Sequence, residues 1–212
     1  DYGYTGQDTL TYTVQDNLGL TSNKATVTVT INSNNSKGLS DNFSTNTTRN
    51  YTIKNTWTQG GVGAFIYDSV GKRAQVRTRD DVGLRFSRNV LSKNTGTFRV
   101  DFRPTVKYPN GGVIDVYLRQ DANNYYWLRN TDGYGGGFLK KVTGGTVVST
   151  SFAKGYSQNK SYTIKIDFSP GLTTVNAFGQ VLRINTNRSS IMVKSFEINT
   201  EQQTAYYDNI SY

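Results

Sequence analysis

The chain predicts an all-β protein, a two-sheet antiparallel jelly-roll β-sandwich preceded by a short N-terminal β-hairpin segment. Apolar and polar side chains alternate along most of its 212 residues, the period-two signature of strands with one buried face. Thr, Ser, Asn and Gly are plentiful and only three prolines occur, which suits many strands joined by short polar turns. No stretch longer than about ten residues keeps a helical period.

Segment 1–32 reads as the hairpin. Leu10, Tyr12 and Val14 alternate with polar residues, Asp16-Asn17-Leu18-Gly19 forms a turn, and Ala25, Val27, Val29 and Ile31 alternate again. Each of its two strands is expected to bury one face. Residues 33–40 form a polar Asn/Ser/Gly linker. The main domain, 41–212, shows strand patterns at 50–57, 63–68, 73–79, 82–87, 96–103, 111–119, 124–130, 137–143, 146–152, 160–168, 173–178, 180–185, 191–199 and 204–212. Between them lie turn sequences such as Asn94-Thr95-Gly96, Asn110-Gly111-Gly112, Gly144-Gly145 and Pro170-Gly171. So many short antiparallel strands in one domain call for two packed sheets.

Composition narrows the chemistry. The chain has no histidine, no cysteine and only two glutamates, Glu197 and Glu201, while 13% of it is aromatic. Acid/base and metal chemistry draw mostly on the missing types, whereas aromatic rings and guanidinium forks equip binding surfaces. Thiol chemistry and disulfides are excluded. The net charge is +9, and it is uneven: residues 33–212 carry 23 basic against 12 acidic side chains, a balance of +11, and residues 1–32 a balance of −2. Such a surface attracts polyanions, or serves solubility alone. No apolar run reaches the ~18 residues that span a bilayer, so membrane insertion is not expected. The opening DYGYTGQDTL has no basic start and no apolar stretch, and is expected to belong to an excised piece of a longer chain rather than to a signal peptide.

Alternation sorts side chains to faces. Ile114, Val116 and Leu118 point inward, leaving Asp115, Tyr117 and Arg119 outside; Tyr126 and Leu128 point inward, leaving Tyr125, Trp127 and Arg129 outside. Arg73, Gln75, Arg77 and Arg79 oppose inward Ala74, Val76 and Thr78, and Arg85 continues this basic set beside Leu84 and Phe86. The candidate ligand-binding residues are therefore Arg77, Arg79, Arg85, Tyr117, Arg119, Tyr125, Trp127 and Arg129, with Tyr134 in a glycine-rich loop. Pyranose rings stack their C–H faces on aromatic rings, and arginine donates in a fork to hydroxyls, carboxylates or sulfates. The competing reading is that these side chains cover the second sheet, and that Tyr134 sits in a simple turn.

Several stretches resemble the concanavalin A-like lectin/glucanase jelly roll and its laminin-G-like relatives. Asp41-Asn42-Phe43-Ser44 is similar to the opening strand of such domains. The run from Val116 to Arg129, through Asp121-Ala122-Asn123-Asn124-Tyr125-Tyr126-Trp127, resembles their strand–turn–strand hairpin, and Ala205-Tyr206-Tyr207-Asp208-Asn209-Ile210 their closing strand. The resemblance implies a structural calcium ion between Asp41 and Asp208. Hydrolases of this type carry a Glu-x-Asp-x-x-Glu strand, and the lyase branch a Gln-x-His strand; neither is found. Glu197 and Glu201, four apart across an expected strand end, should not share a site, so the resemblance implies a non-catalytic module. Segment 1–32 resembles the end of bacterial cadherin-like or immunoglobulin-like repeats and implies a spacer. The expected protein is thus a secreted carbohydrate-binding module that holds a polysaccharide, acidic or sulfated by preference, as part of a larger polysaccharide-degrading enzyme with covalently linked catalytic or spacer domains upstream. An adhesin or surface-layer domain is the alternative. Nucleic-acid binding has only the charge in its favour.

Overall fold

The structure, a computed structural model, describes residues 6–31, 39–58, 63–78, 82–107, 111–132, 136–185 and 191–212. They fall into two compact units, Asp1–Lys37 and Gly38–Tyr212. Among the described residues no helix is long and apolar enough to cross a membrane.

The first unit is a hairpin of β1 (Gly6–Tyr12) and β2 (Ala25–Ile31), paired so that Leu10 faces Val27 and Asp8 faces Val29. Asp16 organises its connection: one carboxylate oxygen accepts the amides of Leu18 and Leu20, both at 2.9 Å. The expected burial of one face is corrected here. Leu10, Tyr12, Val14 and Val29 stay 48–63% exposed, because two strands make a single layer with nothing of their own to pack against.

The second unit is the sandwich. Its strands are β3 (Ser40–Asp41), β4 (Thr52–Thr58), β5 (Ala64–Asp68), β6 (Arg73–Arg77), β7 (Val82–Lys93), β8 (Gly96–Lys107), β9 (Val113–Arg119), β10 (Asn124–Thr131), β11 (Gly137–Thr143), β12 (Thr146–Phe152), β13 (Tyr162–Phe168), β14 (Leu172–Ala177), β15 (Gln180–Asn185), β16 (Val193–Glu201) and β17 (Gln203–Ser211). A seven-stranded sheet runs β12-β11-β10-β9-β16-β7-β4, and an eight-stranded one runs β15-β14-β13-β8-β17-β6-β5 with β3 beside β17; all pairs are antiparallel. The fold is the jelly-roll sandwich that the alternation implies. The tight β11–β12 turn requires left-handed backbone at both central positions, and glycine occupies them, Gly144 with φ +53° and Gly145 with φ +88°.

Both inner faces fill the core with large rings: Phe86, Phe196 and Tyr126 from the seven-stranded sheet meet Phe98, Phe102, Phe168 and Tyr207 from the other. Phe86 packs edge-on to Tyr207 at 5.1 Å, and Phe98 lies 5.1 Å from Phe196. Among the polar groups that enter the core, the Tyr207 and Thr200 hydroxyls pair at 2.6 Å. Lys141 also points inward on β11, 1% exposed, its ammonium 5.7 Å from the Tyr126 ring. Burial pushes its pKa below the usual lysine value. The folded state therefore binds fewer protons than the unfolded chain in the interval just below that value, so this group makes stability rise as pH rises through it. Lys141→Met removes this titration, so the variant's melting temperature relative to the wild type is expected to fall as pH rises from neutrality toward ~10. Thermal melts at a series of pH values check this; a difference independent of pH would contradict it.

Candidate functional site

The outer face of the seven-stranded sheet gathers most of the predicted cluster. The β9–β10 turn sets the register. Asp121 accepts the Asn123 amide at 2.8 Å and the Asn124 side-chain amide at 2.9 Å, closing the hairpin so that Arg119 faces Tyr125, Tyr117 faces Trp127, and Asp115 faces Arg129. Strand β16 lies on the other side of β9, placing Glu197 against Tyr117 and Asn199 against Asp115, and β7 adds Arg85 opposite Asn199. Strand β11 places Lys140 against Trp127 and Phe138 against Arg129.

The aromatic side chains form a ladder across the strands. The Tyr117 and Trp127 rings stack at 5.3 Å with 16° between planes, Tyr125 lies 6.0 Å from Tyr117, and Phe138 meets Trp127 edge-on at 4.6 Å. Arg119 lies over both tyrosines, at 4.2 Å from the Tyr117 ring and 4.8 Å from Tyr125, and Lys140 sits 5.1 Å from Trp127. Tyr117, Tyr125 and Trp127 are all half-buried, on the outside of the sheet rather than between the two sheets. Their neighbours hold them, so a ligand meets ring edges and the cations above them more than bare faces.

Beneath the ladder lies Asp115, 1% exposed. Its carboxylate accepts the Trp127 indole N–H at 2.7 Å and the Asn199 side-chain amide at 3.2 Å, and pairs with Arg129 at 3.4 Å. Burial raises its pKa above the ordinary aspartate value, against the opposing pull of Arg129 and the donated hydrogen bonds. Burial and then the Asp115 charge likewise push the Tyr117 phenol up. Asn199 also donates to Glu201 at 2.7 Å and accepts from Thr56 at 3.0 Å. Glu197 sits between two guanidinium groups, Arg85 at 3.1 Å and Arg119 at 3.0 Å. Gly83, opposite Glu201, makes room for this packing: a Cβ there would strike the Thr56 hydroxyl and press on the Glu201 side chain.

The structure therefore brings together Arg85, Tyr117, Arg119, Tyr125, Trp127 and Arg129. It separates Arg77 from them. Arg77 lies on β6 of the eight-stranded sheet, exposed and donating to Gln75 at 2.6 Å, because the chain crosses from one sheet to the other between β6 and β7. Arg79 and Tyr134 lie outside the described residues. The expected strand end at Asn199 is corrected: β16 continues to Glu201, so Glu197 and Glu201 both point to the outer face on either side of Asn199, about 13 Å apart at strand spacing. The outward Asp115 was legible from alternation; its role as the buried anchor was not, since that depends on Trp127, Arg129 and Asn199 converging from two other strands.

Of the two aspartates expected to hold calcium, Asp41 is engaged by the protein's own donors. The Asp41 carboxylate accepts from the Phe43 amide at 3.0 Å, the Thr47 hydroxyl at 2.8 Å and the Tyr51 hydroxyl at 2.9 Å, with Arg88 at 3.8 Å. Donors and a cation thus occupy the oxygens a hard cation needs. Among the described residues no three acidic side chains gather to hold a metal ion.

No family model and no curated protein matches the chain. Solved structures do. A carbohydrate-binding module, CBM66, from Bacillus subtilis superposes with TM-score 0.51 at 17% identity, covering 74% of this chain and 92% of the module. A Bacillus licheniformis β-glucanase gives TM-score 0.60 at 14% identity over 82% of this chain and 97% of the enzyme. The transglycosylase Crh5 gives TM-score 0.59 at 12% identity, over 82% of each chain. At these identities the likeness is one of architecture, and the chain has the two-sheet jelly-roll sandwich these proteins share.

Proposed function

We propose that the outer face of the seven-stranded sheet holds a saccharide chain and leaves it uncleaved. The observation that carries this reading is the braced aromatic ladder Tyr125–Tyr117–Trp127 flanked by Arg85, Arg119 and Arg129 on an open sheet face. A superposable carbohydrate-binding module supports it at the level of fold. The three arginines are each paired with Glu197, Asp115 or Glu201, so the face offers donors and acceptors side by side, the mixture that hydroxyl groups require. A preference for acidic or sulfated chains is part of the proposal and rests on the +11 balance of residues 33–212. The wider setting is also proposed: a secreted module, spaced by a segment like 1–32, within a larger polysaccharide-degrading enzyme.

Hydrolysis is the second reading, favoured by Glu197 and Glu201 sharing one face of β16. Their Cα atoms are roughly 13 Å apart at strand spacing. A retaining pair needs carboxyl groups ~5 Å apart and an inverting pair ~6.5–9.5 Å. Glu197 is also held between two guanidinium groups, and Glu201 by Asn199 and Arg129.

Native electrophoresis through gels cast with alginate, heparin, laminarin or xyloglucan tests both. Binding appears as retardation, expected to be strongest in the anionic gels and to weaken as salt is added. Unchanged migration throughout would overturn the binding reading. Release of reducing ends from the retarding polymer, lost in Glu197→Gln, would replace it with the hydrolytic one.

A further inference from the structure

The eight-stranded sheet has an outer face of its own, and a cleft of about 290 Å³ opens there, lined by Arg73, Asp101, Arg103, Tyr162, Tyr206 and Asp208 among others. We infer that this cleft is a second saccharide site, separate from the first, sized for a single neutral sugar ring and read by Arg103, Asp208 and Tyr206.

Strand register builds it. Tyr206 lies opposite Arg103 and Asp208 opposite Asp101, while Phe102 and Tyr207 alternate into the core below. The Tyr206 ring is braced: the Arg73 guanidinium covers it at 3.6 Å and is itself fixed by Asp68 at 3.0 Å. Asp101 is fully engaged, accepting from Thr163 at 2.7 Å, Asn209 at 2.8 Å and Arg99 at 3.3 Å. Two groups keep capacity. Among the described residues Arg103 has no carboxylate partner, and its side chain is exposed. Asp208 receives the amide of Asn209 at 2.8 Å, and its second oxygen takes no donor among the described residues.

That leaves one unspent donor fork and one unspent acceptor facing across a tyrosine. A vicinal diol uses both at once, giving its protons to the carboxylate and accepting from the guanidinium. An anion uses only the second, and it meets two carboxylates while one of the two arginines is already neutralised by Asp68. Burial and the neighbouring Asp101 charge also hold the Asp208 pKa above the usual range, consistent with crowding by negative charge. The size sits at the low end of small-molecule clefts, roughly 300–1,000 Å³, which suits one ring rather than a chain. The two sheets of a sandwich turn their outer faces away from each other, so occupation of both sites would let one molecule bridge two glycans. That bridging rests on the proposed function above; the second site does not.

Amide NMR titration of the full chain tests it, with glucose, galactose and fructose as neutral probes and glucuronate as the charged one. Shifts at Arg103, Tyr206 and Asp208 are expected with at least one neutral probe, at roughly millimolar or weaker affinity. Glucuronate should bind there at least about tenfold more weakly. Arg103→Ala and Asp208→Asn, both changes of solvent-facing side chains, should each abolish the shifts and keep the remaining spectrum. No shift at these amides with any neutral probe, an unchanged titration in both variants, or glucuronate binding as tightly would overturn the inference. Arg119, Tyr125 and Trp127 report the first site in the same spectra. Shifts confined to them overturn the second site alone, and retardation lost in every polysaccharide gel with shifts kept at Arg103 overturns the first alone.

Discussion

Asp115→Ala is expected to remove about 3–5 kcal/mol of stability and to abolish saccharide binding, although a side chain only 1% exposed is out of a ligand's reach. The loss is large because three donors aim at one carboxylate. The indole of Trp127, the amide of Asn199 and the guanidinium of Arg129 would all be left pointing into a void. Urea unfolding should show a lowered midpoint at unchanged slope, and polysaccharide gels should show free migration below that midpoint. Asp115→Asn separates charge from shape. Burial raises the Asp115 pKa, so its protonated form is the better tolerated one in the folded state. Stability from this group is thus full below the ordinary aspartate value and is lost as pH rises through the folded one. The wild type should therefore gain on Asp115→Asn as pH falls from neutral to about 4. A difference that stays flat with pH would show that Asp115 is not the titrating anchor.

Trp127→Ala is expected to weaken binding about 100-fold, the 2–3 kcal/mol typical of a central aromatic anchor, with the fold retained. Trp127 stacks on Tyr117, receives Phe138 edge-on and bonds to Asp115, so its removal unbraces the middle of the ladder. Trp127→Phe keeps a ring and loses the indole hydrogen bond, and should fall between the two. The readout is retardation in the gel that retards the wild type, beside a melt that reports folding. Full retardation of a folded Trp127→Ala protein would remove the ladder from the proposed site.

Period-two alternation located nearly every strand of the sandwich, because each strand buries one face whichever sheet it joins. That same indifference hid the sheet assignment. Arg77 and Arg85 look like one basic set along the chain, yet the crossing between β6 and β7 sends them to opposite faces of the molecule. The end of β16 was obscured for a different reason. Its inward position at Thr200 is polar, satisfied by the Tyr207 hydroxyl, so the pattern looks finished at Asn199 when the strand runs on and carries Glu201 into the site. In the hairpin Leu10, Tyr12, Val14 and Val29 alternate correctly but have no second layer within their own unit, and alternation alone does not reveal whether one exists. Tyr117, Arg119, Tyr125, Trp127 and Arg129 were legible, with Asp115, as outward positions on one hairpin; Glu197 and Glu201 were not legible as their neighbours, because they arrive from a strand some seventy residues further on.

That late arrival has a kinetic consequence. Arg85, the 115–129 hairpin and the 197–201 stretch become neighbours only when β16 inserts between β7 and β9, closing two long loops at once. A nascent or refolding chain therefore acquires its grip in one late step, and capture on an immobilised glycan would serve as a clock for completion of the sheet, lagging any signal from the early β9–β10 turn.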